Sequence, residues 1–126
     1  MSMTKEQQRI AIAEFHGWKF KKASNADTYA WFDENGNRAS EWLEGFTKEE
    51  MVRYTPDYPG DLNAMHKVEP HLDQFQAVHY PENLFEVVTG AKWGGNMGYF
   101  MPQFTRASSE NRSEAFCRTV WPEKWA

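Results

Sequence analysis

The spacing of polar and apolar residues along the chain predicts three main α-helices. The first begins after Thr4, which together with Gln7 has the sequence of a capping box, and Gly17 is placed to end it near residue 15. The last begins after Ser108, a residue type that favours the N-cap position, and Pro122 stops it.

A further helix is predicted to begin at about residue 61, with Asp61 or Gly60 as its cap. Four residues at spacings of three, four and three form one face of this helix: Leu62, Met65, Glu69 and Leu72. Pro70 lies within that span. A proline ring removes one backbone hydrogen bond and clashes with the preceding turn, so we expect a kink or a break there.

Short aromatic runs predict the strands of a small sheet. Residues 18–20 and 29–32 are bounded by polar residues, and Asn35-Gly36 after the second run is a strong turn signal, which predicts a β-hairpin or meander. Residues 84–89, with the sequence LFEVVT, are the best strand by composition, and the glycines at 94–95 predict a hairpin to residues 97–104.

These elements predict an α+β fold. We expect a small antiparallel sheet packed with about three main α-helices, as a single-domain α/β/α-type sandwich over residues 1–126.

Two charged residues lie on otherwise apolar helix faces. Glu69 belongs to the middle helix, and Arg112 belongs to the last helix together with Ala115, Phe116 and Thr119. Burying either charge alone would be costly, so we expect the two helices to pack together, with Arg112 paired to Glu69 or to Asp61.

Composition narrows the classes of function. Aromatic residues make up 16% of the chain, more than one small core can hide, so some should lie at the surface and mark a binding site. The net charge of -4 argues against general nucleic-acid binding, which normally needs a basic stripe. The lysines at positions 19, 21 and 22 are more simply the exposed face of a strand.

The sequence contains no membrane-length apolar run and no secretory signal, so we expect a cytoplasmic protein.

The helix pair also resembles a known family. Asp61-Leu-Asn-Ala-Met-His66 with Glu69, followed by Arg112-Ser-Glu-Ala-Phe116 with Arg118 and Thr119, resembles the helix pair of small bacteriophage proteins of the ABA-sandwich type. Phe15-His-Gly-Trp18, and Trp31-Phe-Asp33 with Gly36, are similar to their N-terminal part. The resemblance implies helices packed on a central antiparallel sheet and an accessory role in a phage, and it supplies no catalytic residues. Pro70 and residues 90–104 depart from the pattern.

The strongest candidate site is the glycine-rich segment from Gly90 to Gly98. Lys92 supplies charge, Trp93 a stacking face, and Asn96 an amide that can read a base edge, although a hairpin turn with a packed Trp is the simpler interpretation. We expect ligand or partner binding by these residues: Lys92, Trp93, Gly94, Gly95, Asn96, Tyr99, Phe100 and Trp125.

The sequence gives little support for catalysis or for a metal. His66, Glu69, His71 and His79 do not have zinc-ligand spacing. Hydrolysis could draw on the carboxylates and hydroxyls of Asp57, Asp61, Asp73, Glu69, Ser108 and Ser113, but no nucleophile-elbow motif is present. Cys117 falls beside the apolar face of the last helix, where we expect an inert thiol. We therefore predict no metal and no cofactor.

The sequence favours a phage accessory protein that acts by binding a host factor. The alternative is a sponge that sequesters a nucleotide-derived signal of host defence, of the cyclic nucleotide or ADP-ribose type, and the third hypothesis is a minor hydrolase. The sequence leaves open whether the chain forms a homo-oligomer.

Overall fold

The computed structural model describes residues 2–92 and 107–125. In these two ranges the chain forms an α+β fold, as predicted, with four α-helices and one three-stranded sheet. The elements are α1 (Lys5–Phe15), β1 (Lys19–Lys22), β2 (Thr28–Phe32), β3 (Leu43–Glu44), α2 (Leu62–Val68), α3 (Gln74–Thr89) and α4 (Ser109–Val120).

Helix α1 begins and ends where its sequence predicts. The Thr4 side chain accepts a hydrogen bond from the Gln7 backbone N–H, and the Gln7 side chain accepts one from the Thr4 N–H. Gly17 follows the helix with a φ of 101°, a left-handed conformation that glycine adopts without strain. The chain can therefore turn directly into β1.

The sheet is an antiparallel meander with the order β1-β2-β3. Lys19 pairs with Phe32 and Lys22 with Tyr29, and on the other side of β2 Tyr29 pairs with Leu43. One face, carrying Phe20 and Trp31, packs against the core. Because successive side chains of a strand point to opposite faces, Lys19, Lys21 and Phe32 lie on the other face.

Pro70 ends helix α2. The α-helix stops at Val68, and Glu69–His71 continues as a single 3₁₀ turn, so the predicted break is confirmed. The predicted inner face of this helix was partly wrong. Leu62 is 42% exposed, whereas Ala64, Met65 and Val68 are buried.

The predicted strand at residues 84–89 is wrong, because these residues form the second half of α3. The Asp73 side chain caps this helix in a reciprocal capping box with Gln76, and Gly90 ends it with a φ of 73°. The β-branched residues favour a strand only weakly, and packing against α4 overrides that preference. The hairpin predicted from this segment loses its first strand, and residues 97–104 lie outside the described part of the chain.

The core joins the first helix to the last. The Phe15 and Phe116 rings meet edge to face at 5.2 Å between centroids. The Ser113 hydroxyl, which is fully buried, donates a 2.6 Å hydrogen bond to the side-chain oxygen of Gln8. Both buried polar groups therefore have a partner, and α1 is held in register on α4.

Among the described helices, none is long and apolar enough to cross a membrane.

Candidate functional site

The solvent-facing side of the sheet carries two adjacent aromatic rings. Phe32 lies on this face because it pairs with the exposed Lys19. Trp42 immediately precedes β3, and extending the β2–β3 register by one residue places it opposite Ala30, two residues before Phe32. The Phe32 and Trp42 rings meet edge to face at 5.7 Å between centroids, and Trp42 remains 37% exposed.

Each of these two rings has a cationic side chain over its face. Lys21 Nζ lies 4.9 Å from the centroid of Phe32, and Arg38 Cζ lies 5.9 Å from the centroid of Trp42. The negative face of an aromatic ring attracts a cation by ~0.5–1 kcal/mol at exposed sites. The contacts therefore hold the positive charges beside the rings but bind them weakly enough to be rearranged by a ligand.

An open cleft of about 530 Å³ adjoins these rings. That volume falls within the range of about 300–1,000 Å³ that is typical of small-molecule sites. Besides alanines, its lining consists of two lysines, three small polar residues and the two rings: Lys21, Lys22, Ser24, Asn25, Thr28, Phe32 and Trp42. We call this set the sheet-face cleft.

The charge of the sheet-face cleft is opposite in sign to that of the whole chain. Its two charged lining residues, Lys21 and Lys22, are both basic, although the chain carries a net charge of -4. Glu44 pairs with Thr28 across the β2–β3 ladder and is exposed, but it does not line the cleft. The cleft can therefore attract a small anion, while the net negative charge of the chain disfavours a long polyanion.

Most of the binding residues predicted from sequence lie outside the described residues: Trp93, Gly94, Gly95, Asn96, Tyr99 and Phe100. Lys92 is described and exposed, two residues after Gly90 ends α3. Trp125 is half-buried against the core, and the guanidinium of Arg118 lies over its ring at 4.8 Å, so much of this ring is withdrawn from solvent. The interpretation of Gly90 to Gly98 as a site stays a prediction.

The three residues predicted to join the helices through polar contacts, Asp61, Glu69 and Arg112, have distinct roles. Arg112 Nη1 lies 2.9 Å from Glu69 Oε2, and both side chains are nearly buried. Asp61 caps α2 by accepting a 3.0 Å hydrogen bond from the Asn63 N–H. The Tyr80 hydroxyl of α3 also donates a hydrogen bond to Glu69 Oε2. Burial is the largest cause that raises the pKa of Tyr80, and the charge of Glu69 is the second. The hydroxyl therefore remains protonated, and the Glu69 carboxylate accepts hydrogen bonds from both Arg112 and Tyr80.

The histidines are not gathered into a metal site. His66 Nδ1 lies 3.0 Å from Glu69 and His79 Nδ1 lies 3.3 Å from Glu82, while the His71 ring contacts the His16 ring. In residues 2–92 and 107–125, no three His, Cys, Asp or Glu side chains are close enough together to hold a metal ion.

The groups considered for hydrolysis serve as caps or lie in the core. Asp73 caps α3, Ser108 caps α4 by accepting from the Asn111 N–H, and Ser113 donates to Gln8. Burial raises the pKa of the Cys117 thiol, which removes it as a nucleophile at neutral pH. These contacts give each group a structural role.

The sequence pattern did not identify the sheet-face cleft. Alternation along Lys19-Phe20-Lys21 places both lysines on one face of the strand. The pairing of Lys19 with Phe32, however, depends on the register between β1 and β2, which the sequence alone does not determine. Trp42 lies in a stretch without clear periodicity.

Comparison with known proteins gives no further guide: no family model, no curated protein and no solved structure matches the chain.

Proposed function

We propose that this protein acts by binding, and that the sheet-face cleft takes up a nucleotide. The observation that supports the proposal is the exposed pair of rings, Phe32 and Trp42, beside a cleft whose charged lining residues are both lysines. A planar base and an anionic phosphate are the two parts of a nucleotide, and the cleft offers a complementary surface for each.

The chemistry of each part can be assigned to particular side chains. Stacking of a base on an exposed aromatic ring contributes ~1–3 kcal/mol, and Trp42 is the more accessible of the two rings. Lys21 and Lys22 are placed to pair with phosphate oxygens as point charges. Asn25 and Thr28 add hydrogen-bonding groups to the lining.

The size of the ligand follows from the distribution of charge. A long single strand would extend beyond the cleft over an acidic protein, where its phosphates would be repelled. A mononucleotide or dinucleotide keeps its charge near Lys21 and Lys22. The proposal is therefore a small-molecule site, in agreement with the expectation that the chain is not a general nucleic-acid binder.

The biological role within this proposal comes from the resemblance to phage ABA-sandwich proteins. In that setting the protein is an accessory factor in the host cytoplasm, and it withholds a nucleotide-derived signal, such as a cyclic nucleotide or an ADP-ribose derivative, from host defence. Sequestration requires affinity and no turnover.

The experiment is calorimetric titration of the full chain with cyclic dinucleotides, cyclic AMP, ADP-ribose and ATP. We expect at least one to bind, to raise the melting temperature, and to remain chemically intact. Trp42→Leu and Lys21→Gln should each weaken its binding about tenfold, given the cost of losing one stacking or charged contact. Glu44→Gln should strengthen it, because a nearby negative charge is removed.

Two matched control variants outside the sheet-face cleft show whether the loss of nucleotide binding is specific to the cleft. Phe75→Leu alters an exposed aromatic residue on α3, and Lys124→Gln removes an exposed lysine in the 3₁₀ turn after α4. Both should bind the nucleotide as the wild type does. If no nucleotide binds, or if Trp42→Leu and Phe75→Leu weaken binding equally, the sheet-face cleft is not the site. Hydrolysis of the ligand would favour the enzyme hypothesis.

A second candidate function is binding of a host protein through α3. Phe75 is 73% exposed and Val78 60% exposed, one helical turn apart, which is unusual for large apolar side chains. Helix α3 contains Glu82 and Glu86 and neither lysine nor arginine, so its partner should present apolar residues bordered by basic ones. A host protein captured by the wild type and by Trp42→Leu, but not by Phe75→Asp, would favour this function.

A further inference from the structure

A second cleft lies where the end of α1, the turn after β2 and the start of α2 meet. Its volume is about 220 Å³, which suits a small metabolite. Its lining includes these polar side chains: His16, Asp33, Glu34, Tyr58, Asp61 and Lys67. We call it the α1–α2 cleft. It shares no lining residue with the sheet-face cleft.

Two residues that line the α1–α2 cleft each carry a buried polar atom without a hydrogen-bond partner in the described part of the chain. Tyr58 is 1% exposed and Trp18 is 9% exposed, and within the described residues neither the Tyr58 hydroxyl nor Trp18 Nε1 makes a hydrogen bond. Buried polar groups in folded proteins almost always have a partner, and exceptions call for an explanation such as a bound group. Both atoms can donate, so they require an acceptor.

The Tyr58 hydroxyl and the acidic side of the cleft influence each other. Burial, and secondly the charge of Glu34, raises the pKa of Tyr58. The hydroxyl therefore remains protonated at neutral pH and lies within electrostatic range of that carboxylate. Glu34 itself is exposed, and its Cα and Cβ lie within 4 Å of where a side chain on Gly17 would begin, so the turn after β2 packs closely on the end of α1.

The charge of the α1–α2 cleft is negative. Asp33, Glu34 and Asp61 contribute three carboxylates against one ammonium, that of Lys67. The pKa of His16 is lowered, first by burial, so its imidazole adds no charge at pH 7. Asp33 uses Oδ1 to cap its own turn and Asp61 uses Oδ1 to cap α2, and neither of these bonds involves the second carboxylate oxygen.

This combination selects an organic cation rather than a metal ion. The described residues contain no set of three His, Cys, Asp or Glu side chains with metal-binding geometry. A small ammonium compound fits better, because its N–H groups can donate to separate carboxylates without the convergent set of three ligands that a metal ion requires. The unpartnered donors require that the same compound carry an acceptor oxygen.

We propose that the α1–α2 cleft binds a small primary ammonium compound that carries a neighbouring hydroxyl or carboxylate oxygen. The ammonium group pairs with Glu34 and Asp61, and the oxygen accepts from the Tyr58 hydroxyl and the Trp18 indole N–H. The site is independent of the sheet-face cleft, and it stands or fails separately from the nucleotide proposal.

Ethanolamine and glycine are the probes, and ethylene glycol is the matched compound without an ammonium group. The titrations use the full chain in a buffer free of primary amines, since such a buffer would compete. We expect ethanolamine or glycine to bind and to raise the melting temperature, and ethylene glycol to do neither. No binding of either amine at millimolar concentration, or equal binding of ethylene glycol, would overturn the proposal.

Three variants test the named contacts. Tyr58→Phe removes only a hydroxyl that has no partner in the described protein, so the ligand-free variant should melt no lower than the wild type, while the amine binds about tenfold more weakly. Glu34→Gln should weaken binding to a similar extent, and the exposed Glu41→Gln, outside the cleft, should not. Unchanged affinity in both Tyr58→Phe and Glu34→Gln would contradict the assignment even if an amine binds elsewhere.

Discussion

Arg112 and Glu69, which are 43 residues apart in the chain, meet at 2.9 Å in a nearly buried ion pair between α4 and the 3₁₀ turn after α2. Tyr80 and His66 also contact the Glu69 carboxylate. One carboxylate thus joins side chains from three helices. Because Tyr80 lies 11 and Arg112 lies 43 residues from Glu69 in the sequence, these contacts hold the tertiary arrangement rather than any single helix.

Replacing Arg112 by methionine should lower the free energy of unfolding by ~3–5 kcal/mol, because Glu69 would be left with its charge largely buried. Urea denaturation measures the change. The control is Lys5→Met, which removes an exposed ion pair with Glu110 and should cost less than ~1 kcal/mol. An equal loss of unfolding free energy in the two variants would show that the buried ion pair stabilises the fold no more than the exposed one.

Tyr80→Phe should cost ~1.5–3 kcal/mol, the range for a hydrogen bond to a charged group, since the Tyr80 hydroxyl donates to Glu69. The matched variant is Tyr54→Phe, which removes a hydroxyl that accepts an exposed hydrogen bond from Arg53, and it should stay within ~0.5 kcal/mol of the wild type. Both are measured by urea denaturation. A loss of stability in Tyr54→Phe as large as that in Tyr80→Phe would argue against the contact with Glu69 as the cause.

Asp73→Ala should lower the free energy of unfolding by ~1 kcal/mol, because it removes the side chain that caps α3 through the Gln76 N–H. Asp27→Ala, in the exposed connection between β1 and β2, is the control and should have little effect. Thermal melts followed by far-ultraviolet circular dichroism report both stability and helix content. If Asp73→Ala melts as the wild type does, the capping box does not contribute measurably.

The free energy of unfolding should fall as the pH is lowered below 6.5, in part because of His16. Burial is the largest cause that lowers its pKa, and His71 and Lys67 add to the effect while Glu34 opposes it. A histidine whose pKa is lower in the folded chain binds more protons when unfolded, so its contribution is fully present above 6.5 and is lost as the pH falls towards the folded value. His16→Gln should show a flatter stability profile between pH 7 and the folded pKa, measured by urea denaturation at a series of pH values. Parallel profiles for the two proteins would contradict the assignment to His16.

Cys117 should resist alkylation in the folded protein. It is fully buried, and burial raises the pKa of its thiol, so the reactive thiolate is scarce and inaccessible. A thiol-reactive chromophore should label the chain only in denaturant, with a rate that follows unfolding. Rapid labelling of the native protein would show that α4 opens locally.

Local signals in the sequence were enough to predict several helix ends. The Thr4–Gln7 capping box, the Ser108 cap and the break at Pro70 each depend on a few neighbouring residues, whose chemistry is the same in any fold. The Arg112–Glu69 pair was predictable for a different reason. A charge on an apolar helix face must find a partner, and few candidates were available.

What sequence did not predict depends on long-range packing. Residues 84–89 have the composition of a strand, but Leu84 and its neighbours bury their apolar side chains on the helical surface of α4. The Asp73–Gln76 capping box and Gly90 were local signals for that helix, and they agree with its observed ends. The two clefts are harder to predict, because Phe32 and Trp42, or Tyr58 and Glu34, come together only after the sheet and its turns have formed.

The buried hydrogen bond from Ser113 to Gln8 spans 105 residues of sequence and has a consequence for how the chain folds. Helix α1 is made first, yet its inner face is covered by α4. During synthesis, apolar residues of α1 such as Ile12 therefore stay exposed to solvent until α4 has left the ribosome and can pack on them. Contacts of such long sequence separation also slow folding in solution, because a large loop must close before they form. The nascent chain should thus depend on chaperones until α4 emerges, and a ribosome stalled before that point should carry a protease-sensitive α1.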